Sequence, residues 1–221
     1  MASTANSLLS GITSGAYDGL LLSLATGVKA YGDPVVIRFA HEMNGNWYPW
    51  SGTNNSNTGT HYIAAFRYIH DYFANASVNN VLWLWCPNAN SVPSENWNEA
   101  ADYYPGDDYV DIVGVDGYNF GGSSETSFSD RFGSFYATYQ TEWSSKPLVI
   151  AELGAAETAS DKAAWITDAY GQIQNTYSAI RAVMWFHYNG GSGQDFRVDS
   201  TSAAQSTFQT GVSGAYFLDQ F

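Results

Sequence analysis

Two glutamates lie at the ends of short apolar runs, where a buried strand gives way to a loop. Glu42 directly follows residues 35–41, and Glu152 lies near the end of residues 147–153. Paired carboxylates can hydrolyse a glycosidic bond, because one donates a proton to the leaving oxygen while the other attacks or activates water. These two glutamates are therefore a candidate catalytic pair. The alternative is that each one caps or salt-bridges a structural element.

The surroundings of Glu42 favour a sugar-binding cleft. Alternate residues of a strand share a face, which groups Arg38 with Glu42, so Arg38 would hold a carboxylate in place or complete a buried ion pair. Aromatic rings can stack on sugar rings, although a tryptophan-rich core is the alternative explanation. Three aromatic residues follow Glu42 within eight positions: Trp47, Tyr48 and Trp50.

Strands and helices that alternate along the chain must position these residues. Predicted strands cover residues 35–41, 81–86, 110–118, 147–153 and 180–188. Predicted helices cover residues 1–33 with a break at Gly11 and Gly15, and residues 61–74, 97–103, 128–143, 161–177 and 202–211. This order predicts parallel strands with right-handed crossovers, in an α/β fold of the (β/α)8 TIM-barrel type.

The same pattern predicts where function lies and how the chain divides. Active sites of (β/α) barrels are built at the carboxyl ends of the strands, where both glutamates lie. A doubly wound open sheet is the alternative, but it needs a glycine-rich phosphate loop, and none follows a predicted strand. Without a repeat or a linker, residues 1–221 are predicted to form a single domain.

Composition excludes several partners and cofactors. The net charge of −13, with only eight Lys and Arg residues, argues against nucleic acid and anionic membranes as partners. Cys86 is the single cysteine and the four histidines are isolated, so we expect no metal site and no cofactor. Residues 1–10 lack the basic start and apolar core of a signal peptide. We expect a secreted protein whose signal is absent from this chain.

Three motifs, in order, resemble glycoside hydrolase family 26. They are Arg-Phe-Ala-His-Glu-Met-Asn-Gly-Asn-Trp-Tyr-Pro-Trp (38–50), Tyr-Pro-Gly-Asp-Asp-Tyr-Val-Asp-Ile-Val-Gly-Val-Asp-Gly-Tyr (104–118) and Ile-Ala-Glu-Leu-Gly (150–154). The resemblance covers about residues 8 to 190. Members of this family include β-mannanases and mixed-linkage β-glucanases.

The resemblance implies a role for each matching residue. Glu42 would be the general acid/base and Glu152 the nucleophile of a retaining mechanism, and Tyr118 would hydrogen-bond that nucleophile. His41 matches the histidine before the acid, Trp47 a cleft tryptophan, and Trp185 an aromatic floor under the sugar. Further candidates for substrate binding are Arg38, Asn44, Tyr48 and Trp50.

The implied activity is that of a retaining endo-β-glycanase acting on a polysaccharide or oligosaccharide. The first expected substrate is β-1,4-mannan, because mannanases dominate the family. The alternatives are a β-1,3-1,4-glucanase and a non-catalytic glycan-binding barrel remnant.

The position of Glu42 departs from the family pattern. The family's acid/base follows the fourth of eight strands, whereas Glu42 follows the first predicted strand, so the five strands correspond to strands four to eight. A full barrel takes about 250 residues. Five strands leave two open edges and an apolar face that is normally covered. We expect a fragment, a homo-oligomer or an N-terminal segment that covers the open barrel.

Overall fold

A computed structural model describes residues 8–217 of the chain. The strands are β1 (Val35–Ile37), β2 (Val81–Trp85), β3 (Ile112–Asn119), β4 (Leu148–Ala155) and β5 (Ile180–Trp185). The helices are α1 (Leu8–Thr13), α2 (Asp18–Tyr31), α3 (Gly59–Asn75), α4 (Phe128–Glu142), α5 (Lys162–Asn175) and α6 (Ser202–Val212). Hydrogen bonding follows chain order, β1-β2-β3-β4-β5, and the pairs β1/β2, β2/β3 and β4/β5 are parallel.

The chain folds as two compact units, Met1–Gly114 and Val115–Phe221, whose boundary falls within β3. The predicted single domain over residues 1–221 stays a prediction. The predicted α/β fold with five parallel strands is confirmed by the strand pairing.

In the first unit, α3 supplies much of the core. Tyr62, Phe66 and Phe73 recur at helical spacing and are buried on one face of this helix. Thr58 caps α3, since its hydroxyl oxygen accepts a hydrogen bond from the backbone N–H of His61 (3.3 Å). The aromatic face of the helix packs on β2.

The N-terminal helical segment differs from its prediction. Gly15 has a φ of +79° and separates α1 from α2, which confirms the predicted break there. Gly11, in contrast, lies inside α1, so the predicted break at Gly11 is wrong. The part of the predicted helix before residue 8 lies outside the described residues.

Strand β1 is shorter than predicted, ending at Ile37 rather than residue 41. Its residues pair in register with β2, and the partners Val36 and Leu82 are 50% and 41% exposed. Apolar side chains on an edge strand are normally covered. The homo-oligomer or N-terminal segment expected to cover the open barrel stays a prediction.

Two other elements also differ from their predicted bounds. The predicted helix at residues 97–103 consists of the 3₁₀ turns Asn96–Asn98 and Ala100–Tyr103. Strand β5 ends at Trp185, three residues before its predicted end. Among the described helices, none has both the length and the apolar content that crossing a membrane requires.

In the second unit, α5 and α6 pack together beside β5. Ile166 and Tyr170 of α5 form a buried cluster with Ala204 of α6. Strands β4 and β5 pair from Leu148 to Leu153, with Leu153 opposite Trp185. This pairing places the carboxyl ends of both strands at the same edge.

Candidate active site

Glu42 lies in a tight turn directly after β1. Ala40 and Glu42 have φ angles of +45° and +54°, in the left-handed region that side chains rarely adopt. The backbone N–H of Glu42 donates to the carbonyl of Cys86 (2.8 Å), just beyond β2. The turn ends the strand alternation, so the prediction that Arg38 and Glu42 share one strand face is wrong. Arg38 instead places its Nη1 4.0 Å from Cys86 Sγ.

Glu42 is 6% exposed, and its carboxylate accepts hydrogen bonds on both oxygens. Trp47 Nε1 donates to Oε2 (2.7 Å), and Asn88 Nδ2 donates to Oε1 (2.7 Å). Bonds this short to a carboxylate are of the stronger, charge-assisted kind. The buried carboxylate is thus held in one orientation by two donors on different loops.

An asparagine pair fixes the donor Asn88. Asn44 Nδ2 donates to the carbonyl of Asn88 (2.9 Å), while the N–H of Asn88 donates to Asn44 Oδ1 (2.9 Å). Asn98 in turn donates to the carbonyl of Asn44 (2.8 Å). Asn44 is buried and positions Asn88, and its contact with substrate stays a prediction.

A buried tyrosine completes this network. Tyr103 donates its hydroxyl hydrogen to Asn98 Oδ1 (2.6 Å), and both residues are buried. Burial raises the pKa of Tyr103 to about 12, with a smaller contribution from Asp102. The phenol therefore stays protonated and remains a donor throughout the neutral pH range.

The three other predicted residues near Glu42 form one cluster. His41 Nε2 and the Tyr48 hydroxyl are hydrogen-bonded at 3.1 Å, and Trp50 Nε1 donates to the carbonyl of His41 (2.8 Å). The rings of Tyr48 and Trp50 stack with centroids 4.4 Å apart. Trp47, which is 45% exposed, offers an accessible aromatic face beside the carboxylate.

In the second unit, Glu152 lies on β4 and Tyr118 near the end of β3. The Tyr118 hydroxyl donates to the Glu152 carboxylate, so the structure brings these two predicted residues together. Three phenylalanine rings surround Tyr118, with centroids 5.3–5.5 Å from its own: Phe120, Phe186 and Phe196.

Trp185 is the predicted residue that the structure places elsewhere. Its ring contacts Trp165 of α5 and Phe208 of α6, with centroids 6.4 and 5.8 Å apart. Adjacent strand residues project to opposite faces, and Phe186 is the one that packs on Tyr118. The Trp185 ring therefore lies in the layer between β5 and the helices, and its role as an aromatic floor stays a prediction.

Sequence reasoning missed two contributors to the site, Phe186 and Phe196, and left a third, Asn88, evenly balanced between a functional and a structural role. Asn88 contacts Glu42, and its place directly after a strand was a usable signal. Phe186 directly follows the predicted residue Trp185, and adjacent residues of a strand lie on opposite faces. Phe196 lies in the loop after β5, and its packing against Tyr118 has no local signal in the sequence.

The fold and the two glutamate environments define a class of protein, the glycoside hydrolases with a (β/α)-barrel type of fold. Residues 20–182 match the model of glycosyl hydrolase family 26. The chain belongs to this family.

Curated relatives share long stretches with this chain. Endoglucanase H of Acetivibrio thermocellus is 38% identical over 208 residues, which cover 91% of this chain and 22% of that protein. Mannan endo-1,4-beta-mannosidase A and B of Caldalkalibacillus mannanilyticus is 32% identical over 132 residues, covering 58% of this chain and 23% of that protein. The chain thus spans less than a quarter of the length of these two relatives.

Solved structures share the fold. The catalytic domain of the Bacillus sp. JAMB-750 GH26 endo-beta-1,4-mannanase has a TM-score of 0.72 at 21% identity, over 98% of this chain and 62% of that one. A GH26 beta-mannanase from Bacteroides ovatus also has a TM-score of 0.72, at 20% identity, over 99% of this chain and 66% of that one. These matches confirm the predicted barrel type with fewer strand–helix units than a complete barrel.

Proposed function

We propose that this chain carries the catalytic carboxylates of a retaining endo-β-glycanase, with Glu42 as general acid/base and Glu152 as nucleophile. The observation that carries the proposal is the hydrogen bond from the Tyr118 hydroxyl near the end of β3 to the Glu152 carboxylate on β4, in a chain that matches family 26. The two N–H donors on Glu42 support an equally defined position for the acid.

The reaction would proceed by double displacement. The Glu152 carboxylate attacks the anomeric carbon while Glu42 gives its proton to the departing glycosidic oxygen, leaving a glycosyl ester on Glu152. Glu42 then takes a proton from water, and the resulting hydroxide breaks the ester and restores both side chains. Tyr118 would hold the attacking oxygen in line, which is a positioning contribution to the barrier.

The first substrate we propose is β-1,4-mannan. Several relatives are named mannan endo-1,4-beta-mannosidase, among them proteins of Caldalkalibacillus mannanilyticus and Bacillus subtilis. The second candidate is a β-glucan, because the relative named Endoglucanase H matches 91% of this chain. A panel of mannan, galactomannan and mixed-linkage glucan, compared by kcat/KM, distinguishes the two.

Removing either carboxylate tests the chemistry. We expect Glu42→Ala and Glu152→Ala to fold normally and to lose about 10²-fold or more of the rate of reducing-sugar release, since each supplies a separate part of the reaction. Glu142→Ala, an exposed change on α4, is the matched control and should keep full activity.

A non-catalytic glycan-binding module is the competing class of function. It would bind polysaccharide without releasing reducing ends, and the two alanine variants would then behave like the wild-type chain in the assay. Circular dichroism and thermal melting of each variant exclude loss of fold as the cause of inactivity. An unchanged rate in either variant contradicts the assignment.

A further inference from the structure

Lys162, the first residue of α5, is a buried cation that donates three hydrogen bonds to one loop. It is 5% exposed, and its Nζ donates to the carbonyls of Asp195 (3.0 Å) and Arg197 (2.7 Å) and to Ser200 Oγ (2.8 Å). Glu157 Oε1 lies 3.2 Å from the same nitrogen. A buried ammonium is costly unless it is paired and fully hydrogen-bonded, and here these acceptors surround it.

The two carbonyls bound by Lys162 lie on either side of Phe196. The backbone of Phe196 is itself fixed, because its N–H donates to the carbonyl of Tyr188 (2.9 Å). Its own carbonyl accepts a hydrogen bond from Trp185 Nε1 (2.6 Å). Three consecutive residues of the loop are thus held by contacts from α5 and β5.

Phe196 connects the fixed segment to Tyr118, whose hydroxyl donates to Glu152. Its buried ring lies edge-on to Tyr118, with centroids 5.3 Å apart and the planes at 62°. Both rings also touch Gly154 on β4, where an added Cβ would lie 3.0 Å from Phe196 Cδ1 and 3.2 Å from Tyr118 Cδ1. The Tyr118 ring is therefore confined between β4 and Phe196.

We propose that Lys162 is a positioning residue for the Glu152 carboxylate. It fixes the segment 195–197, which holds Phe196 against Tyr118, and Tyr118 orients the carboxylate through its hydroxyl. This inference rests on the proposed nucleophilic role of Glu152. It predicts that a cation remote from the substrate controls the turnover number rather than substrate affinity.

The first test replaces Lys162 in the full chain. We expect Lys162→Met to lower kcat by about 10- to 100-fold, because a small misplacement of a reacting group has an effect of this size. KM should stay within about twofold of the wild-type value, since the substrate contacts are unchanged. The same loss is expected with a 2,4-dinitrophenyl glycoside, whose leaving group needs no proton from Glu42.

Asp161→Ala is the matched control. Asp161 precedes Lys162 and caps the same helix through Ala164 N–H (2.9 Å), so its loss weakens α5 without touching the loop. We expect Asp161→Ala to lower the melting temperature while kcat stays near the wild-type value. If both variants lose kcat in proportion to their melting temperatures, Lys162 has a merely structural role and the proposal is overturned.

A double-mutant cycle tests the proposed route. If Lys162 acts through Tyr118, Lys162→Met added to Tyr118→Phe should reduce kcat by less than twofold beyond the single Tyr118→Phe change. If the two single losses of kcat multiply fully in the double variant, Lys162 does not act through Tyr118 and the proposed route is overturned. Should Lys162→Met fail to fold, Phe196→Leu replaces it in the same cycle, with the same expected non-additivity.

The outcome also separates this inference from the proposed function. An active Glu152→Ala variant would contradict the nucleophile assignment itself. An inactive Glu152→Ala variant together with a fully active Lys162→Met variant contradicts only the positioning role of Lys162.

Discussion

Glu42 accepts N–H donors on both carboxylate oxygens, yet a general acid must carry a proton on one of them. In its proposed role as general acid, a protonated Glu42 can keep both contacts, because a carboxyl hydroxyl oxygen donates one hydrogen bond and still accepts another. Trp47 is 45% exposed, whereas the backbone N–H and carbonyl of Asn88 both bond to the side chain of Asn44. We therefore expect Asn88 to be the more firmly held of the two donors to Glu42.

The role of Asn88 leads to a prediction at the residue scale. Asn88→Ala removes a hydrogen bond to a carboxylate, which is worth about 1.5–3 kcal/mol. We expect kcat/KM to fall about 10- to 100-fold in reducing-sugar assays, without loss of the folded state. Asn175→Ala, an exposed change on α5, is the control and should have the wild-type rate. An unchanged rate for Asn88→Ala would show that Trp47 alone orients Glu42.

At the scale of elements, the loop after β5 is organised by charged groups around Phe196. Arg197 donates from Nε and Nη2 to the two carboxylate oxygens of Asp195 (3.0 and 2.7 Å). These bonds lower the pKa of Asp195 to about 2. Burial lowers the pKa of Lys162 beneath the same loop, although Glu157 partly opposes this. The loop is thus held by the partly buried Asp195–Arg197 ion pair and by the buried cation Lys162.

The ion pair predicts a defined pH dependence of stability. Asp195 has a pKa near 2 when folded, compared with about 3.9 in an unfolded chain. Its stabilising contribution is therefore present above about pH 4 and is lost as the pH falls through about 2. We expect the melting-temperature difference between wild type and Asp195→Asn to be constant from pH 7 to 5 and to shrink below pH 4. A difference that stays constant down to pH 2.5 contradicts this role of the pair.

At the scale of the whole molecule, the excess of negative charge sets the response to salt. The net charge is −13, with 21 acidic and 8 basic residues. Like charges repel in the compact state, and raising the ionic strength from about 0.01 to 0.1 M shortens the screening length from about 30 to 10 Å. We expect the melting temperature to rise over this range of NaCl. A fall would mean that favourable ion pairs outweigh the repulsion.

The fold and part of the site were predictable because their signals are local. Apolar runs that alternate with helical periodicity located the five strands, and the polar ends of these runs located Glu42 and Glu152. The exact ends were not predictable in the same way. Strand β1 stops at Ile37 because Ala40 and Glu42 adopt left-handed backbone angles, and neither residue type signals such a conformation.

The sequence by itself determined the class of fold, the two candidate carboxylates and the family to which the chain belongs, since motifs and hydrophobic periodicity are properties of neighbouring residues. Only the tertiary structure decided which groups touch those carboxylates. Asn88 reaches Glu42 from 46 positions away, and Phe196 packs on Tyr118 from a loop without any pattern. Trp185 faces the helices rather than Tyr118, because the side of a strand on which a ring lies depends on the packing of its neighbours.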